Sequence, residues 1–137
     1  MNGLLLDTHV AVWLSEGTTL SDSVLDSLTS AGLGDGIFVS PITGWEIGLL
    51  AVRKKELTFD DDPASWFAKL MAMPNIKPAP FDGQIAISAA YLPGDFHADP
   101  ADRLLVATAR TMDVPLVTRD KKILAYAKAG HVKVLAC

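Results

Sequence analysis

Leu4-Leu5-Leu6-Asp7-Thr8-His9-Val10-Ala11-Val12-Trp13-Leu14 changes period at its fourth residue, and that change decides the fold. Three leucines in an unbroken apolar run suit a strand buried on both faces, as in the middle of a parallel sheet. From Thr8 onward Val10, Trp13 and Leu14 recur at spacings of three and four, the pattern of a helix. Asp7 therefore stands at a strand-to-helix corner.

The alternation continues outward from this corner. Ser21 to Leu33 reads as a helix capped by Ser21, Gly34-Asp35-Gly36 as a turn, and Ile37-Phe38-Val39 as a second strand. Ser40-Pro41 opens a helix that runs to about Arg53 and carries Glu46 on its second turn. Asp60-Asp61-Asp62-Pro63 leads into a short helix from Ala64 to Met71. Asn75 to Pro80, with two prolines, fits only the edge of a sheet. Asp82 caps a helix from Gly83 to Leu92, and Asp99 caps another ending near Met112-Asp113. Leu116-Val117-Thr118 is a buried strand ending at Arg119-Asp120, Lys121 to Ala129 a helix, and Val132 to Leu135 a last strand. Strands alternating with helices predict an α/β fold, a mostly parallel central sheet with helices on both faces. No repeat or linker interrupts residues 1–137, which predicts one domain.

Composition narrows the setting. Half of the 137 residues are hydrophobic, enough for a substantial core. The single cysteine, Cys137, permits no internal disulfide and fits a reducing, cytoplasmic compartment. The N-terminal apolar run has no basic flank and stops at Asp7, unlike a signal sequence. No apolar stretch reaches the ~20 residues of a membrane helix. A net charge of −4 argues against general attraction to nucleic acid but leaves room for a local basic surface.

Asp99-Pro100-Ala101-Asp102 places two carboxylates at the mouth of one helix, where packing needs at most one. Capping and the helix dipole explain such pairs in many plain helix starts. In open parallel sheets, however, sites form at the carboxyl ends of strands. Asp7 ends the first strand, Asp120 follows the Leu116 strand, Asp99 and Asp102 open a helix, and Glu46 follows the second strand, so all five belong to one rim. Two carboxylates ~4 Å apart repel by about 4 kcal/mol at an effective dielectric of 20, so such a cluster must be partly protonated or hold a cation. Oxygen donors alone favour Mg²⁺ or Mn²⁺, ions that polarise a phosphoryl oxygen and activate water for phosphodiester hydrolysis. The Asp60-Asp61-Asp62 run reads instead as a solvated cap, and Arg53-Lys54-Lys55 as a solvated helix end.

Four motifs in order, Leu-Leu-Leu-Asp-Thr-His at 4–9, Ser-Pro-Ile-Thr-Gly-Trp-Glu-Ile at 40–47, His-Ala-Asp-Pro-Ala-Asp-Arg-Leu-Leu-Val-Ala-Thr-Ala at 97–109 and Leu-Val-Thr-Arg-Asp at 116–120, resemble the PIN domain. The resemblance is to its VapC-like toxins of toxin-antitoxin pairs. It implies a Mg²⁺- or Mn²⁺-dependent endoribonuclease acting on RNA, a homodimer, and a cognate VapB-like antitoxin as inhibitor. Position by position, Asp7, Glu46, Asp102 and Asp120 match the family's acidic residues and Asp99 an additional acid of this branch. Asp7, Asp99, Asp102 and Asp120 are then the implied metal ligands, with Asp7 and Asp102 the firmest. Arg103 is a candidate for a substrate phosphate or a structural pairing, and Thr118 for a substrate contact or for orienting an acid. His9 and His97 lie near the rim and suit local hydrogen bonds better than metal. The resemblance also implies an antitoxin cation beside Asp7 and Asp102, with Trp13 and Trp45 as candidates for an apolar groove. A lysine common in the family at about Leu49 or Leu50 is missing, and Arg53, Lys54 and Lys55 are possible substitutes.

Two rivals remain at this level. A haloacid dehalogenase-type phosphatase also begins with an aspartate after an apolar strand, but it needs a second aspartate where His9 stands. A catalytically inactive PIN-like module that binds RNA or protein would carry the same acids without cleavage.

Overall fold

The computed structural model of the chain describes residues 3–17, 20–53 and 62–137. In order these form β1 (Gly3–Leu6), α1 (Thr8–Glu16), α2 (Asp22–Leu33), β2 (Gly36–Val39), α3 (Pro41–Arg53), α4 (Pro63–Met71), β3 (Ile76–Pro78), α5 (Gly83–Ala90), α6 (Pro100–Met112), β4 (Leu116–Thr118), α7 (Lys121–Lys128) and β5 (Val134–Ala136). Lys54, Lys55, Asp60 and Asp61 lie outside the described residues.

The strands form one sheet in the order β3-β2-β1-β4-β5, and every pairing is parallel. The leucines of β1 divide between the faces, as the two-residue period of a strand requires. Leu4 and Leu6 join the core under α1, α2, α3 and α4 with Val10, Val24, Leu28, Ile47 and Leu70. Leu5 joins the core on the other side with Ile85, Leu105, Val106 and Ile123 from α5, α6 and α7. Helices therefore cover both faces. Burial of each such leucine or isoleucine is worth about 1.5–3 kcal/mol, and Leu5, Leu6, Ile47, Leu105, Leu116 and Ile123 are fully buried.

Several boundaries differ from the sequence reading, among them the helix expected to reach Leu92, which ends at Ala90, and two of the strand differences have a physical reason. The strand expected over 75–80 contracts to Ile76–Pro78: Asn75 takes a left-handed φ of 67°, and Pro78 pairs only with β2 at the sheet edge. The last strand starts two residues late, because Val132 turns its side chain into the core before the chain joins β4.

The strand order fixes where a site can form. From β1 the chain moves to β2 and β3 on one side, then returns to β4 and β5 on the other. The crevice between the carboxyl ends of β1 and β4 is the switch point at which open parallel sheets hold ligands.

Candidate active site

Asp7 and Thr118 face each other across that crevice. Leu6 pairs with Val117, and the Asp7 amide donates to the Val117 carbonyl at 3.0 Å, so the residues just beyond each strand are neighbours. Thr118 donates its hydroxyl to Asp7 Oδ2 at 2.6 Å and accepts the Asp120 amide at 3.0 Å. Asp7 Oδ1 accepts the Thr8 amide at 2.7 Å and caps α1. Both oxygens of this buried carboxylate are thus held.

The other acids arrive on helix starts. Asp120 caps α7, its Oδ1 accepting the amides of Lys122 at 2.9 Å and Ile123 at 3.0 Å. Asp99 caps α6 more weakly through the Ala101 amide at 3.2 Å. Glu46, on the second turn of α3, accepts a short hydrogen bond from the Thr8 hydroxyl, which also lies 3.3 Å from the Thr43 hydroxyl. Asp102, in the first turn of α6, caps nothing: its Oδ2 lies 3.0 Å from His97 Nε2, a close approach without hydrogen-bond alignment.

Asp7, Glu46, Asp99, Asp102 and Asp120 line one cavity of about 310 Å³, with His9, Trp13 and Arg119 also in its wall. All five acids singled out from the sequence are therefore brought together. Their charges sense one another. Burial, then the surrounding carboxylates of Asp99, Asp7, Asp120 and Glu46, push the Asp102 carboxyl up to about 8. Glu46 is raised by burial and by Asp7 and Asp99, against the lowering hydrogen bond from Thr8. Asp7 is raised chiefly by burial, with Thr118, the Thr8 amide and His9 pulling the other way.

Such a wall fits a hard divalent cation by its chemistry, since every acidic donor is an oxygen and the carboxylates repel one another until neutralised. Among the described residues no three acidic, histidine or cysteine groups stand close enough to share one ion, so a three-carboxylate site requires side-chain rotation.

The two candidate substrate contacts fall outside the open part of the cavity. Arg103 is spent on four carbonyls: Nε donates to Ala89 at 2.9 Å, Nη1 to Phe96 at 2.9 Å and His97 at 3.2 Å, and Nη2 to Ala90 at 3.4 Å. It clamps the end of α5 and the following loop to α6. Thr118 is fully buried, and its hydroxyl orients Asp7 and Asp120.

Two features were not singled out from the sequence: Thr8 holds Glu46, and Arg119 lies over Trp13 with its guanidinium carbon 4.1 Å from the ring centroid. His97, expected near the rim in local hydrogen bonds, instead stands against Asp102 with its Nε2 outside hydrogen-bond geometry. Arg119 had a signal, its place in Thr-Arg-Asp beside Asp120; the other two pairings depend on tertiary packing. Trp45 is exposed on α3, as a groove residue would be, whereas Trp13 is half-buried in the cavity wall.

Comparison with known proteins places the chain in a family. The profile of the PIN domain matches residues 4–129. Ribonuclease VapC22 of Mycobacterium tuberculosis (strain ATCC 25618 / H37Rv) is 32% identical over 135 residues, spanning 98% of this chain and 99% of that protein. Among solved structures, VapBC2 from Rickettsia felis bound to a promoter DNA fragment superposes with a TM-score of 0.70 at 16% identity, covering 98% of both chains. FitAcB from Neisseria gonorrhoeae superposes with a TM-score of 0.63 at 22% identity, covering 96% of both. At those identities the two structures speak to the fold alone.

Proposed function

The chain belongs to the PIN domain family, and from that membership and the cavity chemistry we propose that it is a VapC-type ribonuclease toxin, a divalent-ion-dependent endoribonuclease. The observation that carries the reading is Asp102. Asp7, Asp99 and Asp120 each cap a helix, but Asp102 is half-buried among four other carboxylates with no capping duty. Burying a charge beside like charges is costly and serves no packing need. A Mg²⁺ or Mn²⁺ ion held here would supply the missing positive charge, and the chemistry it would bring is polarisation of a phosphoryl oxygen.

Asp7, Asp99, Asp102 and Asp120 are the residues that would hold the ion. Thr118 keeps both strand-end acids oriented, and Thr8 keeps Glu46 at the edge of the cavity, where burial raises its carboxyl toward a proton-accepting role on water. His97 keeps its imidazole against Asp102 from the loop that Arg103 clamps. No nucleophilic side chain is required.

The toxin role draws on the names of the relatives, which are VapC ribonuclease and VapBC complexes. It implies a VapB-like antitoxin that places a cation against Asp7 and Asp102, a homodimeric toxin, and a cytoplasmic location. No helix among the described residues is long and apolar enough to cross a membrane.

The test is cleavage of RNA by the purified chain. Degradation in Mg²⁺ or Mn²⁺, its arrest by EDTA and its loss in Asp102→Asn are expected. Undiminished cleavage by Asp102→Asn, or in EDTA, overturns the assignment, and binding of RNA with no cleavage under any metal favours the inactive-module alternative.

A further inference from the structure

We infer that Arg119, braced on Trp13 at the wall of the acidic cavity, receives a backbone phosphate of the RNA strand that enters it. The inference rests on the ribonuclease reading above. A cavity lined by five carboxylates repels a polyanion, and a metal ion offsets that repulsion only where it sits. Phosphates flanking the scissile one need a fixed cation, and among the described residues Arg119 is the only lysine or arginine in the cavity wall.

Its geometry suits that task. The guanidinium lies 4.1 Å from the Trp13 ring centroid, and Nε donates to the main-chain oxygen of Cys137 at 3.2 Å, so the plane is held from two sides. Neither Nη nitrogen has a hydrogen-bond partner among the described residues, and the side chain is exposed. That leaves a preorganised pair of donors, the fork that matches phosphate oxygens. The other arginines described in hydrogen bonds are committed to backbone: Arg103 to the four carbonyls above and Arg110 to the His131 carbonyl. Arg119 also directly precedes Asp120, so a phosphate seated on it is tethered beside the acids. A base next to that phosphate can stack on the outer face of the guanidinium plane, extending the tryptophan-arginine stack.

A purely structural Arg119 would anchor the C-terminal strand through Cys137 and touch no RNA, and the two roles separate experimentally. Binding of a single-stranded oligoribonucleotide is measured in Mg²⁺ across a salt series, in an Asp102→Asn background to prevent turnover. Adding Arg119→Met, whose straight stem still covers Trp13, is expected to lower affinity about tenfold or more and to flatten the slope of log K against log salt by about 0.7, the loss of one phosphate contact. Arg119→Lys keeps the slope and loses part of the affinity, because the fork is gone and the charge remains. In the Asp102-intact chain Arg119→Met raises KM more than it lowers kcat. An unchanged slope and KM with only a lower Tm overturns the inference. Should Arg119→Met not fold, phenylglyoxal labelling of the Asp102→Asn chain decides: RNA should protect Arg119 and spare Arg110, and equal labelling with and without RNA overturns the proposal. A native chain that cleaves no RNA defeats the ribonuclease reading itself, whereas a chain that cleaves RNA with Arg119 indifferent defeats this inference alone.

Discussion

Asp102 sits where a carboxylate is least comfortable, and its titration gives that discomfort a sign. Burial first, then Asp99, Asp7, Asp120 and Glu46, push its carboxyl up to about 8 from the ordinary 3.8. Between those values the unfolded chain has released this proton while the folded chain retains it, so folding stability from this group falls as pH rises. The metal-free chain should therefore lose several degrees of Tm between pH 5 and pH 8.5. Asp102→Asn should flatten that slope and raise Tm at the alkaline end while lowering cleavage about 10²-fold or more, the scale of losing one electrostatic element of an active site. Scanning calorimetry across pH reads the first part, and a Tm that rises with pH in the metal-free native chain would contradict it. Thr118 gives the complementary case. Thr118→Val removes the donor to Asp7 Oδ2 and the acceptor of the Asp120 amide inside a fully buried pocket, for a cost of about 1–3 kcal/mol in urea unfolding. Activity should fall with it, since the Asp7 carboxylate loses the hydroxyl that orients it and the Asp120 backbone loses its anchor.

At the scale of elements, α6 joins the stability of the fold to the site. Its first turn presents Asp99 and Asp102, and Arg103, the next residue, ties α5 and the loop carrying Phe96 and His97 to it. Removing Arg103 leaves these carbonyls without a charged donor, so Arg103→Met should cost about 3 kcal/mol. Its effect on RNA affinity should leave the salt slope unchanged, the opposite of Arg119→Met. Asp99→Asn keeps the cap, because asparagine caps as well as aspartate, and should change stability by less than about 0.5 kcal/mol while reducing cleavage. Legibility follows the same division. Asp7, Asp99 and Asp120 could be placed from the sequence because helix caps and strand ends are local signals. Glu46 was legible through its motif and its position after the second strand. The Arg103 clamp and the His97-Asp102 approach depend on how one loop folds back on α6, which no periodicity records. Thr118 reads as a polar residue beside acids, but only the β1-β4 pairing shows that it bridges two of them.

For the molecule as a whole, the sheet order carries the function. Placing β1 beside β4 sets Asp7 against Thr118 and Asp120, and the helices entering at the same rim add Glu46, Asp99 and Asp102. The alternation of apolar runs and helical spacing predicted this architecture, and the parallel sheet with both faces covered follows the expected layering. The order of the strands was not written in any single segment, since it emerges from which apolar faces bury one another. A chain of net charge −4 that concentrates five carboxylates in one cavity should bind a hard cation in the folded state, and only there. Calorimetric titration of the native chain and of Asp102→Asn with Mn²⁺ at pH 8 measures this without RNA. Saturable binding by the native chain, with release of a proton and a rise in Tm, and at least tenfold weaker binding by Asp102→Asn are expected. No heat of binding at millimolar Mn²⁺, or equal affinity in the two proteins, would contradict a metal centre in this cavity.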